Sequence, residues 1–222
     1  MMDLDWNFIA ESLPLYGEAM WLTVKLAFWA VMLSLIVGLL FSFVLHYKVK
    51  GIQTIILAYV ELSRNTPLLV QLFFLYYGFP RIGIHMSEMT CAIIGLTFLG
   101  GSYMTEAFRS GIEAVSKTQI ESGYSIGLSK IQLARYVILP QAFAISIPSL
   151  GANAIFLLKE TSIVGAISLL DLTNVAKDLI GMFYKTEESL LLLVGSYLAL
   201  ILPLSLLLSW VEKKVRFAEY GY

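Results

Sequence analysis

Few side chains in this sequence could do covalent or metal chemistry. Among its 222 residues there are two histidines, His46 and His85, and one cysteine, Cys91. A lone thiol forms no disulfide within the chain, and with two histidines it makes a poor zinc or bis-histidine haem site. The carboxylates are dispersed, so no acid–base constellation of a membrane enzyme stands out. No Gly-x-x-x-x-Gly-Lys-(Ser/Thr) phosphate loop exists, nor any Gly-Lys pair, so the chain does not hydrolyse ATP itself. What remains is a thin scatter of polar groups in long apolar runs: Gln71, Ser102, Tyr103, Glu106, Asn153, Lys159 and Glu160. Such groups are costly at membrane depth unless they are paired or functional. Their types suit noncovalent binding of a small charged molecule.

Their spacing is helical. Asn153 and Glu160 are two turns apart on one face, with Lys159 adjacent; Ser102 and Glu106 are one turn apart, with Tyr103 beside them; Gln71 follows Pro67 by one turn. Lining a shared cavity, Glu160 would meet an ammonium or guanidinium, and Lys159 a carboxylate or Glu160 itself. A plainer reading has Lys159 and Glu160 ending a helix near the outer surface. Arg64, inside another apolar run, is expected to pair with Glu61 one turn away, with Pro67 kinking or restarting the helix.

The elements that carry these residues follow from composition. Hydrophobic residues make up 58% of the chain and charged residues 14%, against about 25% charged in an average soluble domain. Mean hydropathy is +0.78. A net charge of −1 offers no field for nucleic acid. These values exclude an ordinary soluble enzyme, a disordered chain and a nucleic-acid binder, and imply a polytopic membrane protein. Alternation of the β-barrel kind is absent, and about 20 apolar residues per helix cross a core of about 30 Å.

The expected fold is therefore an all-α membrane protein with five transmembrane helices: Leu26–Leu45, Ile52–Pro80, Met89–Thr105, Ala142–Leu158 and Ser189–Trp210. The acidic N-terminus, with Asp3, Asp5 and Glu11, is unlike a cleavable signal. The stretch Leu4–Glu18 reads either as a helix lying flat at the interface or as a loose leader. Gly95, Gly100, Gly101 and Ser102 read as residues for close helix packing. Basic residues set the orientation. Nine of them (Lys48, Lys50, Arg109, Lys117, Lys130, Arg135, Lys213, Lys214 and Arg216) fall on one side and three (Arg81, Lys177 and Lys185) on the other. The first side is then cytoplasmic, with the N-terminus outside and the C-terminus inside. Trp210 with Lys213, Lys214 and Arg216 reads as an interfacial anchor.

The loop between the third and fourth helices, about residues 116–141, is too polar to span and too apolar for a plain linker. Ile120, Tyr124 and Leu128 repeat at four-residue spacing. Gly127 should end that helix, and Ser129 should cap a second one running to Pro140. The result is a helical elbow with apolar knobs, read either as a docking surface for a soluble partner or as an interfacial helix on lipid headgroups.

Glu121-Ser122-Gly123, three residues, Gly127, nine residues and Val137-Ile138-Leu139-Pro140 resemble the Glu-Ala-Ala loop of bacterial ABC importer permeases. The departures are Ser122, Gly123 and Val137, and Gly123 should weaken the short helix by roughly 1 kcal/mol relative to alanine. Arg64-Asn65-Thr66-Pro67-Leu68-Leu69-Val70-Gln71, Glu106-Ala107-Phe108-Arg109-Ser110-Gly111 and Lys159-Glu160-Thr161-Ser162 are similar to elements of the polar amino-acid subfamily, the histidine/glutamine/arginine type. The resemblance covers roughly Gly17 to Arg216.

It implies a single transmembrane permease domain over 1–222 in a bacterial inner membrane. It also implies a coupling helix at about Gln119 to Gly127, with Gln119, Glu121, Ser122, Gly123, Gly127, Leu128 and Pro140 as the ATPase-coupling residues. The implied partners are an ATP-binding subunit, a second permease subunit (identical or a sister chain) and an external substrate-binding protein. No cofactor is expected in this chain, because ATP and magnesium would be held by the ATPase. The substrate would be a polar amino acid, moved by alternating access. An ion-gradient-driven secondary transporter is the alternative, but it should show an internal repeat of spans, and none is visible.

Overall fold

The computed structural model describes residues 4–220, with side chains described as far as Val215. Asp3 and the side chain of Arg216, counted above in the charge pattern, lie outside the described residues. Among the described residues every regular element is helical. Helix α1 runs Trp6–His46, α2 Ile52–Arg64 and α3 Leu68–Phe73; α3 continues as a π turn and a 3-10 turn to Ile82. Helix α4 is Glu88–Glu113, α5 Lys117–Ser125, α6 Lys130–Leu133 and α7 Leu139–Glu160; α8 is Leu172–Phe183 and α9 Thr186–Tyr220. Among the described residues four helical stretches are long and apolar enough to cross a membrane: Trp6–His46, Glu88–Glu113, Lys130–Ile167 and Thr186–Val215.

The expected second span is two shorter helical pieces rather than one helix. Proline disfavours helical backbone in the residue before it, and Pro67 takes an extended conformation (φ −60°, ψ 138°) at the N-cap of α3. Side chains brace both sides of this break. Asn65 Nδ2 donates to the Glu61 carbonyl at 2.8 Å and to Glu61 Oε2 at 3.1 Å. Gln71 Nε2 donates to the Thr66 carbonyl at 3.1 Å and to Thr66 Oγ1 at 2.9 Å.

The leader is neither loose nor a separate flat helix, because it is continuous with α1. Pro14 costs one backbone bond, but burial offsets it. Tyr16 and Ala19 pack with Leu172, Val175, Leu179 and Leu192, and the Tyr16 hydroxyl donates to the Ser189 carbonyl at 2.7 Å.

The second loop helix does not stop at Pro140, since helical backbone continues from Lys130 to Ile167. A π turn over Ala134–Ile138 lies just before the proline, and the Leu139 N–H bonds the Ala134 carbonyl five residues back. This wider turn accommodates a ring that lacks an N–H.

The chain forms two compact units. One comprises the residues up to Met32, Thr66–Phe98 and Ala154–Leu204. Its core includes the Tyr16 cluster, and in it a Cβ on Gly95 would lie 2.7 Å from Leu72 Cδ2. Buried Asp171 caps α8, accepting from the Thr173 N–H at 3.0 Å and the Asn174 N–H at 3.2 Å. The other unit comprises Leu33–Asn65, Leu99–Asn153 and the chain from Ser205. There Leu45, Ile56 and Val60 form one cluster and Ile112, Val115 and Ala142 another. A Cβ on Gly101 would lie 2.7 Å from the Tyr59 hydroxyl and 2.9 Å from Val37 Cγ1, so small residues do set close helix packing on α4. In the same unit Lys214 Nζ lies over the Trp210 ring, 5.0 Å from its centroid.

Candidate functional site

The elbow is built by α5, a turn and α6. Helix α5 starts at Lys117 after Ser116 in extended backbone, two residues before the expected Gln119, and ends at Ser125. Gly127 then takes φ +84°. That left-handed conformation costs other residues about 1–2 kcal/mol, which is why a glycine stops the helix here. Two backbone bonds close the turn, from the Gly127 N–H to the Tyr124 carbonyl at 2.9 Å and from the Leu128 N–H to the Gly123 carbonyl at 3.1 Å. Ser129 caps α6 as expected. Its Oγ accepts from the Gln132 N–H at 3.3 Å, and its own N–H donates to Gln132 Oε1 at 2.9 Å, a reciprocal capping box.

Gly123 has a role that spacing alone did not reveal. It is buried, and a Cβ there would run into Leu133 Cδ1 and lie 3.4 Å from Leu128 Cδ1. The glycine therefore lets the two arms close on each other. Ile120 and Ile138 pack on Ile112, Val115 and Ala142, fastening the elbow to the end of α4 and the start of α7. Tyr124 stays 48% exposed, Ile126 78% and Ile131 81%. Gln119, Glu121, Ser122 and Pro140 are exposed as well, and Leu128 is half-buried. Tyr124, Ile126 and Ile131 are thus apolar side chains of the elbow that packing within this unit does not cover.

The polar groups of the apolar runs are already partly spoken for. Ser102 is buried; its hydroxyl donates to the Leu99 carbonyl at 2.7 Å and accepts from Ser63 Oγ at 3.1 Å. Asn153 Nδ2 donates to the Tyr103 carbonyl at 3.4 Å. Both Glu106 oxygens accept from Arg109, at 3.1 Å from Nε and 2.6 Å from Nη2, and Arg109 Nη1 reaches Glu113 at 3.0 Å. The Glu-x-x-Arg element is thus an ion-pair ladder along α4. Gln71 braces the Thr66 turn. Lys159 is exposed and Glu160 half-buried, and neither side chain forms a hydrogen bond or ion pair among the described residues. The 3-10 segment Thr161–Ile167 follows them directly. Ser102, Tyr103, Glu106 and Asn153 belong to the unit containing Leu99–Asn153, whereas Gln71, Lys159 and Glu160 belong to the other.

The expected Arg64–Glu61 ion pair is absent. Asn65 takes the Glu61 carboxylate, and the Arg64 guanidinium lies over the Tyr103 ring, 5.0 Å from its centroid. Proline-induced termination explains the exchange: α2 ends at Arg64, so Asn65 folds back on its last turn. Sequence reasoning treated Arg64 as structural and left it out of the binding set. The available signal was an arginine within an apolar run, beside a helix break. No group of three or more His, Cys, Asp or Glu side chains suited to a metal occurs among the described residues.

The family model for binding-protein-dependent transport system inner membrane components matches residues 30–217. The chain is 32% identical over 177 residues to the L-cystine transport system permease protein TcyB of Bacillus subtilis, covering 79% of this chain and 76% of that protein. It is 28% identical over 217 residues to the glutamine transport system permease protein GlnP of Escherichia coli, covering 97% and 99%. A solved crystal structure of an amino acid ABC transporter with histidines superposes with a TM-score of 0.89 at 33% identity, covering 96% of this chain and 100% of that one. An inward-facing structure of the MetNI methionine ABC transporter shares the fold, with a TM-score of 0.75 at 18% identity over 92% and 98%.

Proposed function

The chain belongs to the family of binding-protein-dependent transport system inner membrane components, and we propose that it is the permease subunit of an ATP-driven importer of polar amino acids. Relatives whose names specify glutamine and L-cystine support the amino-acid class. The observation that carries the coupling is the elbow, a short helix and a capped second helix locked at Gly123 and Gly127 with Tyr124, Ile126 and Ile131 left exposed. A separate ATPase docks there. It binds the ATP and magnesium that this chain has no loop to hold, and its closure moves the elbow.

In this reading the chain is one permease domain that pairs with a second permease subunit and receives substrate from an external binding protein. Helix α2 and the piece Leu68–Ile82 together make the remaining crossing, giving five, with the N-terminus outside and the C-terminus in the cytoplasm. The candidate substrate contacts are Tyr103 and Asn153 within one unit and, taken separately, Lys159 and Glu160 within the other. Gln71, Ser102 and Glu106 shape the path through the bonds described above. Transport is then a two-state switch biased from a distant site.

The test is ATP-driven amino-acid uptake in proteoliposomes containing the permease pair, its ATPase and the binding protein. Ile126→Asp alters an exposed tip, so the fold should survive while uptake and ATPase co-purification fall at least tenfold. Wild-type uptake that ignores ATP and follows an ion gradient would overturn the reading.

A further inference from the structure

We propose that Arg64 is the carboxylate-binding residue of the substrate path, so that this permease recognises the α-carboxylate common to its substrates. The proposal rests on the amino-acid import reading above and adds the group that grips the substrate.

Three observations support it. First, Arg64 is the last residue of α2, the thirteenth counting from its start at Ile52. Twelve steps at about 1.5 Å per residue put it about 18 Å along the helix axis, within a core of about 30 Å if the helix stands upright. An exposed guanidinium at that depth is costly unless it faces a polar path.

Second, its position is fixed. Ser63, the preceding residue, is tied to Ser102 on α4 by a 3.1 Å hydroxyl bond, and Tyr103 follows Ser102. This pin sets the guanidinium over the Tyr103 ring at 5.0 Å. The Tyr103 carbonyl in turn accepts from Asn153 on α7, so three helices hold the platform. A side chain reaching for headgroups would extend along the membrane normal; this one is folded onto α4.

Third, its hydrogen-bonding capacity is uncommitted. The contact with the Tyr103 ring is a cation–ring attraction and not a hydrogen bond to an acceptor. No acceptor among the described residues bonds the guanidinium N–H edge, and the nearest sequence candidate, Glu61, is taken by Asn65. A planar fork of N–H donors matches a carboxylate through two parallel charge-assisted bonds. The other arginine at this level of the sequence, Arg109, differs because Glu106 and Glu113 saturate it.

The test is equilibrium binding of radiolabelled L-amino acids to the detergent-purified permease–ATPase complex without binding protein. The best binder among the twenty amino acids and cystine is compared with the same compound carrying an α-carboxamide. The wild-type complex should prefer the acid by at least about tenfold. Arg64→Gln should weaken the acid by about tenfold to hundredfold, leave the amide nearly unchanged and so erase the preference. Arg64→Lys, a point charge without the fork, should restore part of it. Misfolding would weaken both ligands together and would not be rescued selectively by lysine. The proposal is overturned if Arg64→Gln binds the acid as tightly as wild type, if acid and amide fall equally in both variants, or if wild type imports an amino acid yet binds none of the panel. Wild-type liposomes that import no amino acid would instead overturn the underlying reading.

Discussion

Leu133 occupies the space that a Cβ on Gly123 would need. The two arms of the elbow therefore meet with backbone on one side and a leucine tip on the other. This contact, together with the left-handed Gly127, sets how the two arms of the elbow close on each other.

Gly123→Ala tests the contact gently. The displaced atom is the end of a flexible side chain, and alanine gains about 1 kcal/mol of helix propensity. Thermal stability should stay within about 1 kcal/mol of wild type and uptake should survive. Gly123→Leu wedges the arms apart, at about 1–3 kcal/mol for overpacking. Uptake should fall at least tenfold while circular dichroism shows the helical content retained.

Glu106→Gln separates a structural carboxylate from a substrate ligand. Both oxygens of Glu106 serve Arg109, so the substitution should lower stability by about 1 kcal/mol. The ranking of amino acids in a competition assay should not move. A changed ranking would mean that Glu106 touches substrate.

Asp171 caps α8 while fully buried. Burial pushes its carboxyl above the usual value, against the Thr173 and Asn174 N–H bonds that favour the ionised form. A raised folded pKa means that ionisation costs stability as pH rises from the ordinary aspartate range through the folded value. Asparagine caps about as well as aspartate. Asp171→Asn should therefore match or exceed wild type in melting temperature at pH 8, and Asp171→Ala should lose about 1 kcal/mol.

Asp5 clasps the start of α1 to the turn before α9. Its carboxylate accepts from the Phe8 N–H at 3.1 Å and Lys185 Nζ at 3.0 Å, and its own N–H donates to Glu188 Oε1 at 3.0 Å. The Phe8 N–H and then Lys185 hold the Asp5 carboxyl below 3.8, and Asp5 raises Lys185 above 10.5. The clasp is complete between those two values. It is lost as pH falls through the lowered Asp5 value or rises through the raised Lys185 value. Melting temperature against pH should show an acid limb below about pH 4 that is smaller in Asp5→Asn.

Much of this was legible in the sequence because it depends on local rules. Apolar length marked the four membrane-length helices, Gly127 and Ser129 marked the elbow, and Pro67 marked the break between α2 and α3. The remainder depended on packing or on competition between neighbours. Helical continuity through Pro14 required the Tyr16 contacts with α8 and α9. Continuity through Pro140 required a π turn that leaves no signature in periodicity. Arg64 was assigned to Glu61 by spacing, but Asn65 lies closer once the helix ends. Glu106 looked free because its partner, Arg109, was read as a loop charge.

The central claim is that movement of an amino acid through this chain is powered by a separate ATPase acting on the elbow. The direct measurement is amino-acid uptake into proteoliposomes holding the complete complex, with ATP supplied or withheld, for wild type and Gly127→Asp. Uptake that requires ATP in wild type and falls to background in Gly127→Asp, with the variant complex still folded and helical, is the predicted result. ATP-independent uptake driven by an ion gradient, or full ATP-driven uptake in Gly127→Asp, would contradict the account.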